Sequence, residues 1–255
     1  METKYGFKKL SLPEFGQWLK GLRVSRTVLT IQQHHTYIPS YILFTGNNHF
    51  ERQKAMKDHH INANGWADIG QHFTIFPDGY ILTGRGIEKS PACIYGQNSN
   101  AVCIENFGNF DVGGDVMTEA QAKSIIEVTA SLCVKFNIPV STDYIVYHHW
   151  FDLGTGARNN GTRNNKSCPG TNFFGGNKVA DCQNNFLSLV NNNLTGTIKT
   201  GIPKGMRYVC VNTSTLNVRV LPDSSSDKAP ERPSVRLGAI LRVYDEKDGW
   251  LKISN

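Results

Sequence analysis

No stretch of this 255-residue chain approaches the ~20 consecutive apolar residues that a membrane-spanning helix requires, so membrane insertion is not expected. The opening residues, Met1-Glu2-Thr3-Lys4-Tyr5, are polar and lack the apolar core of a signal peptide. The usual secretory route is therefore not expected either. Internal repeats and low-complexity tracts are also missing. Cysteine is sparse and scattered: Cys93, Cys103, Cys133, Cys168, Cys182 and Cys210 show no close pairing. Without a leader, most of these thiols are expected to be reduced and buried. Cys168 stands apart, because it lies in a Pro-Gly turn and not in an apolar run. Charge is modest at 19% of residues against 39% hydrophobic, the balance of a folded globular chain.

The net charge of +6 is unevenly placed. Residues 193–255 hold ten Lys and Arg against six Asp and Glu, while residues 1–192 hold seventeen against fifteen. The smaller C-terminal part thus carries most of the excess, which suits attraction to an acidic polymer. No nucleic-acid partner is expected, and oligomeric state is not legible.

Strand and helix signals alternate along the first 192 residues. Arg26 to Gln33 is rich in β-branched residues and predicts a strand that delivers His34 and His35 at its end. Phe50 to Asn62 predicts a helix. Phe73 to Phe76, Pro77-Asp78-Gly79, and Tyr80 to Thr83 predict a hairpin. Ala101 to Glu105 is a further apolar strand. Thr118 with Gln121 three residues on is a capping-box pattern. Ile125, Ile126, Thr129, Ala130, Cys133 and Val134 then recur at helical spacing. Asp143 to His149 predicts a strand, and Val179 to Val190 a terminal helix. The pattern predicts an α/β domain with a mixed central sheet flanked by helices. A polar, Gly- and Pro-punctuated linker is expected at 193–204. Short strands over 205–255 predict a small all-β barrel.

Three fragments share one chemistry: Gln33-His34-His35-Thr36-Tyr37, Val146-Tyr147-His148-His149-Trp150 and Lys166-Ser167-Cys168-Pro169-Gly170. Two imidazoles and one thiolate would hold Zn²⁺ with a position left open, the arrangement of a hydrolytic site rather than a structural one. Within each His pair on a strand, only one ring can face the metal, since side chains alternate.

These segments resemble the zinc amidases that include peptidoglycan recognition proteins and phage lysozyme-type N-acetylmuramoyl-L-alanine amidases. The resemblance covers about residues 25–190. It rests on His35-Thr36-Tyr37-Ile38-Pro39, Gly65-Trp66-Ala67-Asp68-Ile69-Gly70, Asp78-Gly79 with Thr83-Gly84-Arg85-Gly86, and Ser167-Cys168-Pro169-Gly170. It implies zinc ligands His35, His148 and Cys168, with His34 and His149 as the alternatives in register. Lys166 matches the phage enzymes' lysine, which implies a role at the oxyanion. Many members carry a catalytic Tyr where this chain has Gln71, which cannot act as acid or base. Glu105 matches the carboxylate of intracellular anhydro-muropeptide amidases and is the expected general base, with His72 a weaker candidate. Gln71, His72 and Arg85 are expected to contact substrate. So are Arg158 and Arg163, in the Gly-, Asn- and Arg-rich segment Leu153 to Asn165, which could meet stem-peptide carboxylates.

The C-terminal part resembles bacterial SH3-like wall-binding domains, through Leu216-Asn217-Val218-Arg219, Pro222 and Asp248-Gly249-Trp250-Leu251-Lys252-Ile253. Together the two resemblances imply an endolysin acting on bacterial peptidoglycan, cytoplasmic until released to the wall. The alternatives are a non-catalytic peptidoglycan receptor and a cytoplasmic muropeptide-recycling amidase.

Overall fold

Seven short strands build one mixed sheet: β1 (Glu2–Lys4), β2 (Phe7–Leu10), β3 (Thr30–His35), β4 (Phe73–Ile75), β5 (Ile81–Thr83), β6 (Ala101–Asn106) and β7 (Ile145–Tyr147). Their spatial order is β1-β2-β5-β4-β6-β3-β7. In the computed structural model, the residues described are 1–201, 207–210, 215–230, 234–236, 240–243, 245–247 and 249–253. The β4–β6–β3–β7 half is parallel, and the β1–β2–β5–β4 half is antiparallel. The predicted hairpin forms as read, with Gly79 at φ +85°, a left-handed conformation that glycine adopts without steric cost.

Register decides which side chains share a face. His34 on β3 lies opposite Glu105 on β6, Glu105 opposite Thr74 on β4, and Thr74 opposite Leu82 on β5. That row points to one side of the sheet. Residues one step along, such as Gln33, Ile104 and Phe73, point to the other. The second side is covered by α3 (Glu119–Phe136), where Gln33 Nε2 donates to Thr129 Oγ1 at 2.9 Å. Asn106 Nδ2 donates to Gln33 Oε1 at 3.0 Å, so a buried amide chain ties both strands to the helix. Burying unpaired amides would cost about 1–3 kcal/mol each, and this pairing pins the register.

Helix α2 (His49–Asn62) packs on the Leu82 end of the first side. Phe50 and Met56 join Phe7, Ile69, Phe76, Leu82 and Phe107 there in one buried cluster. A cavity opens over the His34–Glu105 end of the row, with the last turn of α2 in its wall.

Helix α3 starts where the capping pattern predicts, with Thr118 Oγ1 accepting from Gln121 N at 3.1 Å. The reciprocal half of the box is absent. Gln121 is wholly buried and donates instead to the carbonyls of Ile75 and Phe107, at 2.8 and 2.9 Å. The Tyr41 hydroxyl accepts the Thr118 N–H in its place. The buried face of α3 centres on Gln121, Ile125, Val128 and Leu132, so Val134, expected inside, is 67% exposed.

Several elements differ from expectation. The N-terminal hairpin and α1 (Leu12–Gly21) were not predicted. The signal for α1 was present in Ser11-Leu12-Pro13-Glu14, where Glu14 Oε2 accepts from Ser11 N at 2.8 Å. The strand predicted over Asp143 to His149 ends at Tyr147, and His148–Trp150 is a 3₁₀ turn. The terminal helix is interrupted: α4 (Val179–Asp181), a π turn at Cys182–Phe186, then α5 (Leu187–Gly201). Helix α5 therefore runs through much of the segment expected as linker.

Contacts divide the chain into Met1–Val190 and Asn191–Asn255. In the second unit, β8 (Arg207–Cys210) pairs with β11 (Ile240–Val243), β9 (Thr215–Asn217) with β10 (Ser234–Arg236), and β12 (Asp245–Lys247) with β13 (Trp250–Lys252). All three ladders are antiparallel. The rest of the segment on which an SH3-like barrel was expected lies outside the described residues. No described helix is long and apolar enough to cross a membrane.

Candidate metal and catalytic site

The carboxyl ends of three adjacent strands, β6, β3 and β7, converge on one cavity, the usual position for a site in a parallel sheet. The cavity measures about 510 Å³, and His34, Glu105, His148, Lys166 and Cys168 all line it. His34 Nδ1 lies 3.2 Å from His148 Nδ1 and 3.5 Å from Cys168 Sγ. One donor atom from each of the three lies within 4.8 Å of both others, and all three residues are buried.

These separations can be tested against zinc. With Zn–N near 2.0–2.1 Å and Zn–S near 2.3 Å, tetrahedral angles require edges of about 3.3 Å for N–N and about 3.6 Å for N–S. The two edges that meet at His34, 3.2 and 3.5 Å, match these lengths, and the donors of His148 and Cys168 lie within 4.8 Å of each other. Their electrostatics agree. Burial, reinforced by His148 and Lys166, holds the His34 imidazole well below its ordinary value. Burial and Lys166 push His148 down to about 4. Both rings are therefore neutral and free to ligate. Burial, with Glu105 nearby, raises the Cys168 thiol well above its ordinary value. A divalent cation is the natural counter-charge that would let this buried thiol ionise. The residues fit the metal.

In the first pair the two imidazoles are placed differently. His34, and not His35, joins His148 and Cys168. The amide chain of Gln33, Asn106 and Thr129 turns the odd-numbered side chains of β3 toward α3, so the even-numbered His34 faces the cavity. His35 sits at the cavity rim, where its Nδ1 accepts from Phe110 N at 3.2 Å and burial lowers it to about 4. In the second pair His148 faces the cavity. His149 turns outward and donates from Nδ1 to the Lys166 carbonyl at 2.6 Å, which anchors the segment carrying Lys166.

The Cys168 turn is held on several sides. Asp111 accepts from Ser167 Oγ at 2.8 Å and from Thr171 N at 2.9 Å, and Asn177 Nδ2 donates to Ser167 O at 2.8 Å. His35 N donates to Cys168 Sγ at 3.4 Å. At Gly170, φ is +122° and a Cβ would lie 2.4 Å from the Phe110 carbonyl, so only glycine lets the turn approach so closely.

Glu105 faces the same cavity, and desolvation raises its carboxyl to about 8 against the opposing pull of Lys166. Gln71 is buried in the cavity wall, with Nε2 donating to Thr74 Oγ1 at 2.9 Å and Oε1 without a partner.

The remaining expected contacts are drawn elsewhere. His72 donates from Nε2 to Lys89 O at 2.9 Å and accepts at Nδ1 from Cys103 N at 3.0 Å, so both ring nitrogens are used inside the fold. Arg85 is spent on the carbonyls of Asp68, Ile69 and Ser90. Arg158 donates to Thr142 O at 2.9 Å and lies over the Trp150 ring. Arg163 is exposed, outside the cavity lining. His72 thus has no ring nitrogen left for substrate, and Arg85 and Arg158 are each anchored to the fold through part of the guanidinium.

Two features were missed. His59 and His60, in the last turn of α2, line the cavity, and His60 packs on Trp66 at 4.7 Å between ring centroids. The clue was a His pair just before the Gly65-Trp66 motif. The second is a disulfide between Cys93 and Cys103, where reduced thiols were expected. Cys133, Cys168 and Cys182 are free and buried, as expected for most of the cysteines.

A family model described as N-acetylmuramoyl-L-alanine amidase (Amidase_2) matches residues 25–171, more than half of the chain, and the chain belongs to that family. It is 28% identical over 116 residues to the human N-acetylmuramoyl-L-alanine amidase, covering 46% of this chain and 20% of that protein. It is 31% identical over 124 residues to peptidoglycan-recognition protein SC2 of Drosophila simulans, covering 48% and 58%. To the endolysin of Klebsiella phage KP32 it is 30% identical over 88 residues, covering 33% and 56%. The match spans less than two thirds of each of these relatives, and only a fifth of the human one.

Proposed function

We propose that the chain is a zinc-dependent N-acetylmuramoyl-L-alanine amidase of endolysin type. It hydrolyses the amide between the lactyl group of N-acetylmuramic acid and L-alanine in bacterial peptidoglycan. The observation that carries this reading is the clustering of His34, His148 and Cys168, with the two edges at His34 of tetrahedral length, 3.2 and 3.5 Å, within the segment the amidase family model matches. Those three residues would hold zinc. Bound there, the metal supplies Lewis acidity to the scissile carbonyl and to water.

The chain's own groups handle protons and charge. Water must lose a proton as its oxygen bonds to the carbonyl carbon, and the amide nitrogen must gain one as the C–N bond breaks. Glu105 takes the first proton and returns it to the nitrogen. A carboxyl raised to about 8 by desolvation sits close to neutrality, where one group both accepts and donates. Lys166 presents positive charge to the oxyanion in the same cavity. Gln71 does not move protons. Its unpartnered Oε1 accepts a hydrogen bond from an N–H of the substrate. The basic C-terminal part supplies attraction to the wall.

A second reading, a receptor that binds peptidoglycan without cutting it, is favoured by one residue: Gln71 stands where many relatives carry a catalytic Tyr. Digestion of purified peptidoglycan by zinc-loaded and chelator-stripped protein separates the two. The amidase yields new L-alanine amino termini and intact muramic acid by mass, and only with metal. Saturable binding with no new ends under either condition establishes the receptor.

A further inference from the structure

The Cys93–Cys103 disulfide is an unexpected neighbour for the metal site. Cys103 lies on β6 two residues before Glu105, on the same side of the sheet as His34. Cys93 is half-buried and lines the same cavity as His34, His148 and Cys168. The sulfurs of Cys93 and Cys103 and a ring nitrogen of His34 all lie within 4.8 Å of one another, a second group of metal-ligating atoms that shares His34 with the first. An independent observation bears on the shared ring. His34 is only 4% exposed, its Nδ1 is turned to His148 and Cys168, and its Nε2 is buried with no hydrogen-bond partner. The His34 ring thus lies beside both sulfurs and carries a buried nitrogen with no partner, a ligand set in which the S–S bond holds the two sulfurs.

We propose that reduction of Cys93–Cys103 opens a second metal site, formed by the two thiolates with His34, for a thiophilic divalent cation such as Zn²⁺. The chemistry balances with a dithiol as reductant. One thiolate of the dithiol attacks Cys93 Sγ, the sulfur that reaches the cavity, and Cys103 Sγ leaves with the electron pair of the broken S–S bond. The dithiol's second sulfur then displaces Cys93, and the dithiol ends as its own cyclic disulfide. Two electrons have passed to the protein, and both cysteines are thiols once protonated. Cation binding releases the two thiol protons and forms two metal–sulfur bonds. Soft thiolates favour such cations over Mg²⁺ or Ca²⁺. The inference rests on the side chains around His34 and does not depend on the amidase reading.

The test is a Co²⁺ titration of the full chain, stripped of metal, before and after treatment with dithiothreitol and its removal under anaerobic conditions. Thiolate-to-cobalt charge-transfer absorption reports sulfur ligation directly. Three proteins are compared: wild type, Cys168→Ser, and Cys168→Ser with Cys93→Ser. In the oxidised state, Cys168→Ser should show no charge-transfer band. After reduction the band should appear in Cys168→Ser at one equivalent of Co²⁺, be absent from the double variant, and be stronger in wild type than before reduction. A reduced Cys168→Ser protein that stays folded by circular dichroism yet shows no band overturns the proposal. So does reduced wild type that has lost its fold at the titration temperature, because no site then survives to be filled. Failure of oxidised wild type to take up Co²⁺ would instead count against the His34, His148 and Cys168 site, and the appearance of the band on reduction would still decide this one.

Discussion

Replacing His72 by Gln should change how the protein's stability depends on pH while leaving the cavity chemistry alone. His72 was expected near substrate, but the fold uses both of its ring nitrogens, against Lys89 O and Cys103 N. Burial lowers it to about 4 from an ordinary value of 6.5. Between those values the unfolded chain binds a proton that the folded chain refuses. The folded state therefore keeps its full advantage above pH ~6.5 and loses it as pH falls toward ~4. The whole difference, about 2.5 pH units, corresponds to roughly 3.4 kcal/mol at about 1.36 kcal/mol per unit. Most of that falls between neutrality and pH 5, where the loss from this one ring is about 2 kcal/mol. Glutamine keeps a donor for Lys89 O but does not titrate. Urea unfolding at pH 7 and pH 5 should show a smaller drop in His72→Gln than in wild type, by about 2 kcal/mol. An identical drop in the two proteins would refute the buried, neutral assignment. A raised KM for muropeptides in the variant, with unchanged pH dependence, would restore the substrate-contact role.

Three further expectations follow from the site. His34→Ala should lose most bound zinc while His35→Ala keeps it, measured as metal per chain after dialysis; the reverse order would return the ligand to His35. Glu105→Gln should retain zinc and lower kcat by about 10²–10⁴, with little change in metal content, and near-wild-type turnover would remove Glu105 as the proton carrier. A chain ending at Gly201 should cleave soluble muropeptides as well as the full chain, yet lose activity on intact walls at low salt. Equal lysis of walls by both, across low and physiological salt, would refute a targeting role for the basic C-terminal part.

The sequence by itself determined the class of fold, the hairpin, the start of α3 and the three segments that carry the candidate metal ligands, because local patterns encode these. Alternating strand and helix periods, a Pro-Asp-Gly turn and a Thr cap act over a few residues and need no tertiary contact. It did not determine which imidazole of each pair faces the cavity. Thr30 to His35 is buried on both faces, so no polar–apolar alternation marks the inside, and the choice falls to the Gln33–Asn106–Thr129 amide chain. His148 and His149 sit on a 3₁₀ turn, where strand alternation does not apply. Arg85 reads as a substrate contact in its motif, yet three carbonyls of the fold claim it. The Cys93–Cys103 bond was equally hidden, because spacing along the chain does not reveal that the loop carrying Cys93 lies against β6. Sequence supplied the chemical groups, and strand register with buried hydrogen bonding decided which of them meet, because facing is a property of paired strands and not of either strand alone.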